Sequence, residues 1–187
     1  DPVQEYADYR SSQAGGGHGV QIVEMPEVYL HFGYGIPDHP LALRNFGAYL
    51  QREWPNVRYV LLLGHGMVYP QVRDPGSENR TSHFVPTFGD PGSDNLLMPQ
   101  PGNSAPRFAL GRVAARNPQE VSAYLEKLKA YEAGFSVGQT IEQQAWRRRV
   151  LHLVGGNPTE QQSFRFLLNL MAQDLQNSGF GAEVQTV

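Results

Sequence analysis

The sequence predicts an α/β fold, a three-layer sandwich with a mainly parallel sheet and helices on both faces, and three observations carry that expectation. Tyr59-Val60-Leu61-Leu62-Leu63 is an apolar run without alternation, bounded by Pro55-Asn56 and by glycines, as a strand buried on both faces requires. Strand-like and helix-like segments alternate along the second half of the chain, which calls for parallel strands joined by right-handed crossovers. The turn grammar also repeats: Asn117-Pro118-Gln119-Glu120 and Asn157-Pro158-Thr159-Glu160 each place asparagine at the N-cap, proline at N1 and glutamate at N3 of a helix.

Taken in order, Pro2 to Gln13 reads as a helix, with Val3, Tyr6, Ala7 and Arg10 at helical spacing and Gly15-Gly16-Gly17 as its stop. Val20 to Met25 is expected as a short strand closed by Pro26. A helix feeding the first strand is the crossover from an earlier one, so the expected fold lacks a strand that preceded Pro2. Glu27 to Phe32 is a short turn or helical segment. Asp38 is the expected N-cap of a helix to Trp54, with Leu43, Phe46, Leu50 and Trp54 on its apolar stripe. From Met67 to Pro106 no periodicity holds, and the stretch reads as one long loop rich in Pro, Gly, Ser, Asn and Asp. Arg107 to Gly111 is the next strand. The helix from Pro118 turns Val121, Tyr124, Leu125, Leu128 and Tyr131 inward and stops at Gly134, with a loop from Phe135 to Ala145 after it. Val150 to Val154, the helix with Phe164, Leu167, Leu168, Met171 and Leu175 inward, and a last strand from Ala182 to Val187 complete a single expected domain over residues 1–187.

Composition excludes several functions. A net charge of -3 and only two lysines, Lys127 and Lys129, argue against a nucleic-acid or anionic-membrane surface. There is no cysteine, hence no disulfide, thiolate metal site or cysteine nucleophile in these residues. No apolar run approaches the ~20 residues that span a bilayer. The glycines before Val20 follow a helix and open a strand, the reverse of a phosphate loop. No Gly-x-Ser-x-Gly elbow is present, which places a serine hydrolase last among the readings.

Some residues invite chemistry. His65 stands between Gly64 and Gly66 at the carboxyl end of the central strand, where α/β sheets gather functional groups. Asp90, Asp94 and Asn95 cluster the oxygens that a calcium ion takes, and Asx-turn bonding to their own backbone is the competing account. Arg112, directly after a strand, is placed to pair with Asp94 or another loop acid. Asn79-Arg80-Thr81 has the form of a glycosylation sequon. His18, His31, His39, His83 and His152 show no metal-ligand spacing.

Seven segments, in order, resemble the gingipain-type cysteine peptidases: Tyr6-Ala7-Asp8-Tyr9-Arg10, Phe32-Gly33-Tyr34-Gly35, Tyr59 to Gly64, Val85-Pro86-Thr87-Phe88-Gly89, Ser93-Asp94-Asn95-Leu96-Leu97, Leu110-Gly111-Arg112-Val113 and Lys129-Ala130-Tyr131-Glu132. The resemblance spans nearly the whole chain. It implies the first α/β subdomain of a caspase-like catalytic domain from a secreted or surface-displayed bacterial peptidase. Its expected partners are a C-terminal catalytic subdomain of the same parent chain and a peptide substrate. The catalytic cysteine and histidine of that family lie in the second subdomain, so this portion is expected to be inactive alone and to need no cofactor, calcium aside. By the same resemblance His65 corresponds to a polar residue of the first subdomain, structural rather than catalytic, and the turn with Gly155, Gly156, Asn157 and Glu160 helps shape the substrate cleft. The capping box accounts for Glu160 without any substrate. The alternative reading is a non-enzymatic α/β binding module whose loop 67–106 takes a partner.

Overall fold

A computed structural model of the chain describes residues 1–74, 76, 83–89, 91–100, 102, 104–136 and 140–187. The sequon Asn79-Arg80-Thr81 and Asp90 lie outside the described residues. The architecture is mixed α/β with short parallel strands in open sheets, as a three-layer α/β fold requires. The chain divides into two compact units, Asp1–Ala133 and Gly134–Val187.

In the first unit, helix α1 (Pro2–Ser11) starts at Asp1, whose carboxylate accepts the Val3 N–H at 3.0 Å. Helices α2 (Met25–Phe32) and α3 (Pro40–Glu53) pack together and lead into strand β1 (Tyr59–Leu63). Strand β2 (Ala109–Val113) pairs with β1 in parallel, Tyr59 opposite Ala109 and Leu63 opposite Val113. Between them lie the short helix α4 (Tyr69–Arg73) and a 3₁₀ turn at Asp94–Leu96. Helix α5 (Pro118–Ser136) follows β2. Its start is held as the sequence predicts, with Asn117 Oδ1 accepting the Glu120 N–H at 3.0 Å.

The core of this unit gathers Val28 and Tyr29 of α2, Ala42, Leu43 and Leu50 of α3, and Leu62 of β1, joined by Val85, Leu97, Met98 and Phe108. Leu97 and Met98 are 0% and 1% exposed, so the stretch from Met67 to Pro106 contributes core side chains although it carries no periodicity. Nor is it the one long loop expected: α4 and the 3₁₀ turn at Asp94–Leu96 stand within it. Elements this short leave no period to read.

Several boundaries differ from expectation. No strand forms at Val20–Met25; Val20, Ile22 and Val23 are each 38–39% exposed, and Met25 and Pro26 instead open α2 behind the extended Glu24. β-branched residues favour a strand only where a neighbour pairs with it. The N-cap of α3 is His39, whose Nδ1 accepts the Leu41 N–H at 3.2 Å, rather than Asp38, which stands one residue earlier at φ 58°. Gly134 does not stop α5, which runs two residues further, to Ser136.

In the second unit, α6 (Ile141–Gln144) opens on a capping box at Thr140, and a 3₁₀ turn over Ala145–Arg148 leads to strand β3 (Arg149–His152). Helix α7 (Pro158–Asn177) then crosses to strand β4 (Glu183–Thr186), which pairs with β3 in parallel, Arg149 opposite Glu183. Asn157 caps α7 as predicted: its side chain accepts from Thr159 and Glu160, and the Glu160 carboxylate accepts the Asn157 N–H at 2.9 Å. Helix α7 packs on β4.

Candidate functional site: the carboxyl edge of β1 and β2

The sequence places Gly64-His65-Gly66 immediately after β1, and the structure ties that turn down on both sides. The ladder continues past the strands, with the Gly64 N–H donating to Val113 and the His65 N–H to Ala115, both at 2.9 Å. The His65 carbonyl in turn accepts from Phe84 at 2.9 Å and Val85 at 3.3 Å. Both glycines have steric reasons. Gly64 sits at φ 142°, and a Cβ there would lie 2.9 Å from Phe84 and Val85 side-chain carbons. A Cβ on Gly66 would lie 2.5 Å from the Val85 carbonyl oxygen. The glycines flanking His65 thus let segment 84–85 lie against the strand end, whatever the imidazole does.

Arg112, from β2, is the hub of this edge. Its Nε and Nη2 donate to the two carboxylate oxygens of Asp94, both at 2.7 Å. Nη1 donates to the carbonyls of Gly64 at 2.7 Å and Val85 at 2.9 Å, and Nη2 also donates to Pro86 at 3.1 Å. A guanidinium has five N–H donors. All five are engaged within the protein, so none is left to hold a substrate carboxylate or an oxyanion. The ion pair anticipated between Arg112 and Asp94 therefore forms, bidentate and with Arg112 only 12% exposed. Both oxygens of Asp94, one of the three residues weighed as calcium ligands, face the guanidinium, and Asn95 stands in the same 3₁₀ turn. Among the described residues no cluster of three His, Asp or Glu side chains has metal-binding geometry.

A second cluster at this edge has no signature in the sequence. His83, 3% exposed, accepts the Met67 N–H on Nδ1 at 3.0 Å, which leaves the proton of the neutral ring on Nε2. That nitrogen stands 3.9 Å from the Asp38 carboxylate, which also accepts the Tyr29 hydroxyl at 3.4 Å. Burial raises the Tyr29 hydroxyl pKa, and the Asp38 charge raises it further, so the phenol stays a donor. Asp38 can meet both partners because it takes the left-handed backbone conformation that aspartate tolerates better than most residues. Residues far apart in sequence meet here, and only the composite of α2, the α3 entry and segment 83–85 brings them together.

The remaining predicted residues lie elsewhere. Gly155, Gly156, Asn157 and Glu160 form the exposed turn from β3 into α7 in the second unit. Glu160 is engaged by the capping box, and Gly156 takes φ 91° beside it.

A further charged junction fixes α1. The Tyr9 hydroxyl donates to Glu132 Oε2 at 2.6 Å and Arg10 Nη1 to Glu132 Oε1 at 2.8 Å, while Arg10 Nε donates to the Tyr6 hydroxyl at 3.2 Å. Burial alone would raise the Glu132 pKa, but the bonds from Tyr9 and Arg10 outweigh it and hold the carboxyl below the ordinary glutamate range. The bond to Glu132, with lesser help from burial, raises the Tyr9 hydroxyl.

Residues 1–184 match the family model described as peptidase family C25. No curated protein and no solved structure matched the chain. Six of the seven segments that resemble gingipain-type peptidases are joined by side-chain bonds: Tyr9 and Arg10 with Glu132, and Arg112 with Asp94, Gly64, Val85 and Pro86. The match over nearly the entire sequence and the α/β scaffold agree, and the chain belongs to peptidase family C25.

Proposed function

We propose that this chain is the non-catalytic α/β portion of a secreted or cell-surface cysteine endopeptidase, acting on peptide substrates together with a C-terminal catalytic subdomain of the same parent protein. Family membership supports the reaction class, and the absence of any cysteine from the sequence supports a scaffold role for these residues. The observation that carries the reading is the apolar surface that Gly134–Val187 leaves outside its own packing. Among the described residues, Ala182 alone of the buried apolar side chains belongs to this unit. Phe166, Leu167 and Met171 of α7 are 50–64% exposed, and Leu151 of β3 is 57% exposed. An apolar surface this extended marks a contact with another folded element. The turn at Gly155, Gly156, Asn157 and Glu160 lies at the carboxyl end of β3, where sheet folds of this class place ligand-facing loops, and we assign it to the rim of the substrate cleft. In this reading His65 is structural.

Hydrogen exchange on this chain and on the longer parent protein tests the proposal. Amides of α7 and β4 are expected to exchange much more slowly in the parent, and peptide hydrolysis to occur there alone. Equal exchange in both proteins refutes the docking role. Turnover by the purified chain that His65→Ala abolishes refutes the scaffold role.

A further inference from the structure

A groove of about 580 Å³ lies between Arg44, Asn45 and Ala48 of α3 and Leu96, Pro99, Gln100 and Arg107 in the first unit. Arg44 and Arg107 line it, and among the described residues no carboxylate does. Each arginine is anchored. Arg44 lies 4.7 Å over the Phe88 ring and donates Nη1 to the Leu96 carbonyl at 3.2 Å. Arg107 donates Nε to the Pro99 carbonyl at 3.1 Å and Nη1 to Gln51. These bonds leave further N–H donors on both guanidiniums. Among the described residues neither pairs with an acid, in contrast to Arg10, Arg112 and Arg149.

The spacing is readable from α3. Arg44, Ala48 and Gln51 stand at i, i+4 and i+7 on one helical face, so Gln51, which holds Arg107, is about 10 Å along the axis from Arg44. The other side chains that line the groove are uncharged, the apolar Ala48, Leu96 and Pro99 together with the polar Asn45, Gln100 and Ser104. A uniformly charged polyanion would leave its middle charges without a cation to face. A polyproline II peptide repeats its face every three residues at ~3.1 Å per residue, so carboxylates at i and i+3 stand ~9 Å apart on one side with apolar residues between them.

We infer that this groove binds an acidic peptide segment in the polyproline II conformation, with two carboxylates three residues apart on Arg44 and Arg107 and the intervening residues over Ala48. The inference is independent of the role assigned to Gly134–Val187.

Fluorescence anisotropy of a dye-labelled Pro-Glu-Pro-Pro-Glu-Pro peptide with the 187-residue chain is the test. Binding is expected to weaken about tenfold with Arg44→Gln or with Arg107→Gln, the loss of one charge-assisted contact. Because each arginine also anchors backbone, Ala48→Asp provides a second reading: it removes neither arginine and is expected to abolish binding, with the melting midpoint lowered only by the helix propensity lost with alanine. A glutamine version of the peptide should not bind, and one with adjacent glutamates should bind at least about tenfold more weakly, having lost one arginine. No binding of the spaced peptide overturns the inference. So does equal binding of the adjacent-glutamate peptide, displacement by polyphosphate at lower concentration than by the peptide itself, or insensitivity to Ala48→Asp.

Discussion

Replacing Arg112 probes the edge of the sheet most directly. Its guanidinium makes five hydrogen bonds, two of them to the Asp94 carboxylate and three to backbone carbonyls. Removing one partner of a buried ion pair costs about 3–5 kcal/mol, because the other charge is left without compensation. Asp94 is 28% exposed, so water reaches part of the carboxylate and the low end applies. We therefore expect Arg112→Met to destabilise the first unit by about 3 kcal/mol. Arg112→Lys keeps the charge but has at most three donors and no planar fork, and should cost about 2 kcal/mol. Asp94→Asn leaves the three carbonyl bonds and should cost about 1–2 kcal/mol. Urea unfolding followed by far-ultraviolet circular dichroism gives the three values, and a double-mutant cycle gives the coupling between the two side chains. The amides of Gly64 and His65 should also lose exchange protection in Arg112→Met, since Gly64 carries one of the bonded carbonyls. If Arg112→Lys falls within about 0.5 kcal/mol of the parent, the fork is not what holds the edge, and the account of Arg112 as its hub is wrong.

Other outcomes follow from the same contacts. Glu132 is held below its ordinary pKa, so its contribution to stability is fully present above the unfolded glutamate value of about 4.3 and fades as pH falls through the folded one; acid titration of the melting midpoint should show a shallower fall in Glu132→Gln. Gly66→Ala drives a methyl against the Val85 carbonyl and should cost on the order of 2 kcal/mol in urea unfolding. Leu97→Ala empties a fully buried site and should cost about 2–5 kcal/mol by the same measurement. Asn157→Ala removes the cap of α7, worth about 1 kcal/mol, and should speed amide exchange in its first turn.

Elements whose determinants are local were legible from sequence alone. The strand at Tyr59–Leu63 and the capped starts of α5 and α7 form where their residues indicate, because an unbroken apolar run and an Asn-Pro-x-Glu turn act within a few residues. The strand is not buried on both faces as expected: of its five residues Leu62 alone is buried, and Tyr59 is 67% exposed. The inward stripes were partly legible. Val121 and Leu125 of α5 are buried, whereas Phe164, Leu167 and Met171 of α7 remain 45–56% exposed. Periodicity shows that a helix has an apolar face but not what covers it. Val20–Met25 marks the opposite limit, a segment with strand propensity and no strand to pair with.

The site divides in the same way. Sequence located the turn around His65 and offered Asp94, among other loop acids, as a partner for Arg112; it set Arg112 just after the strand, whereas the residue stands inside β2. It also supplied the family resemblance that the whole-chain match bears out. Tertiary structure alone decided that the glycines beside His65 serve the approach of segment 84–85, that Leu97 and Met98 belong to the core, and that His83 faces Asp38. The physical reason is that close approach, burial and a shared carboxylate are properties of two segments at once. A chain read in order holds only one of them at a time.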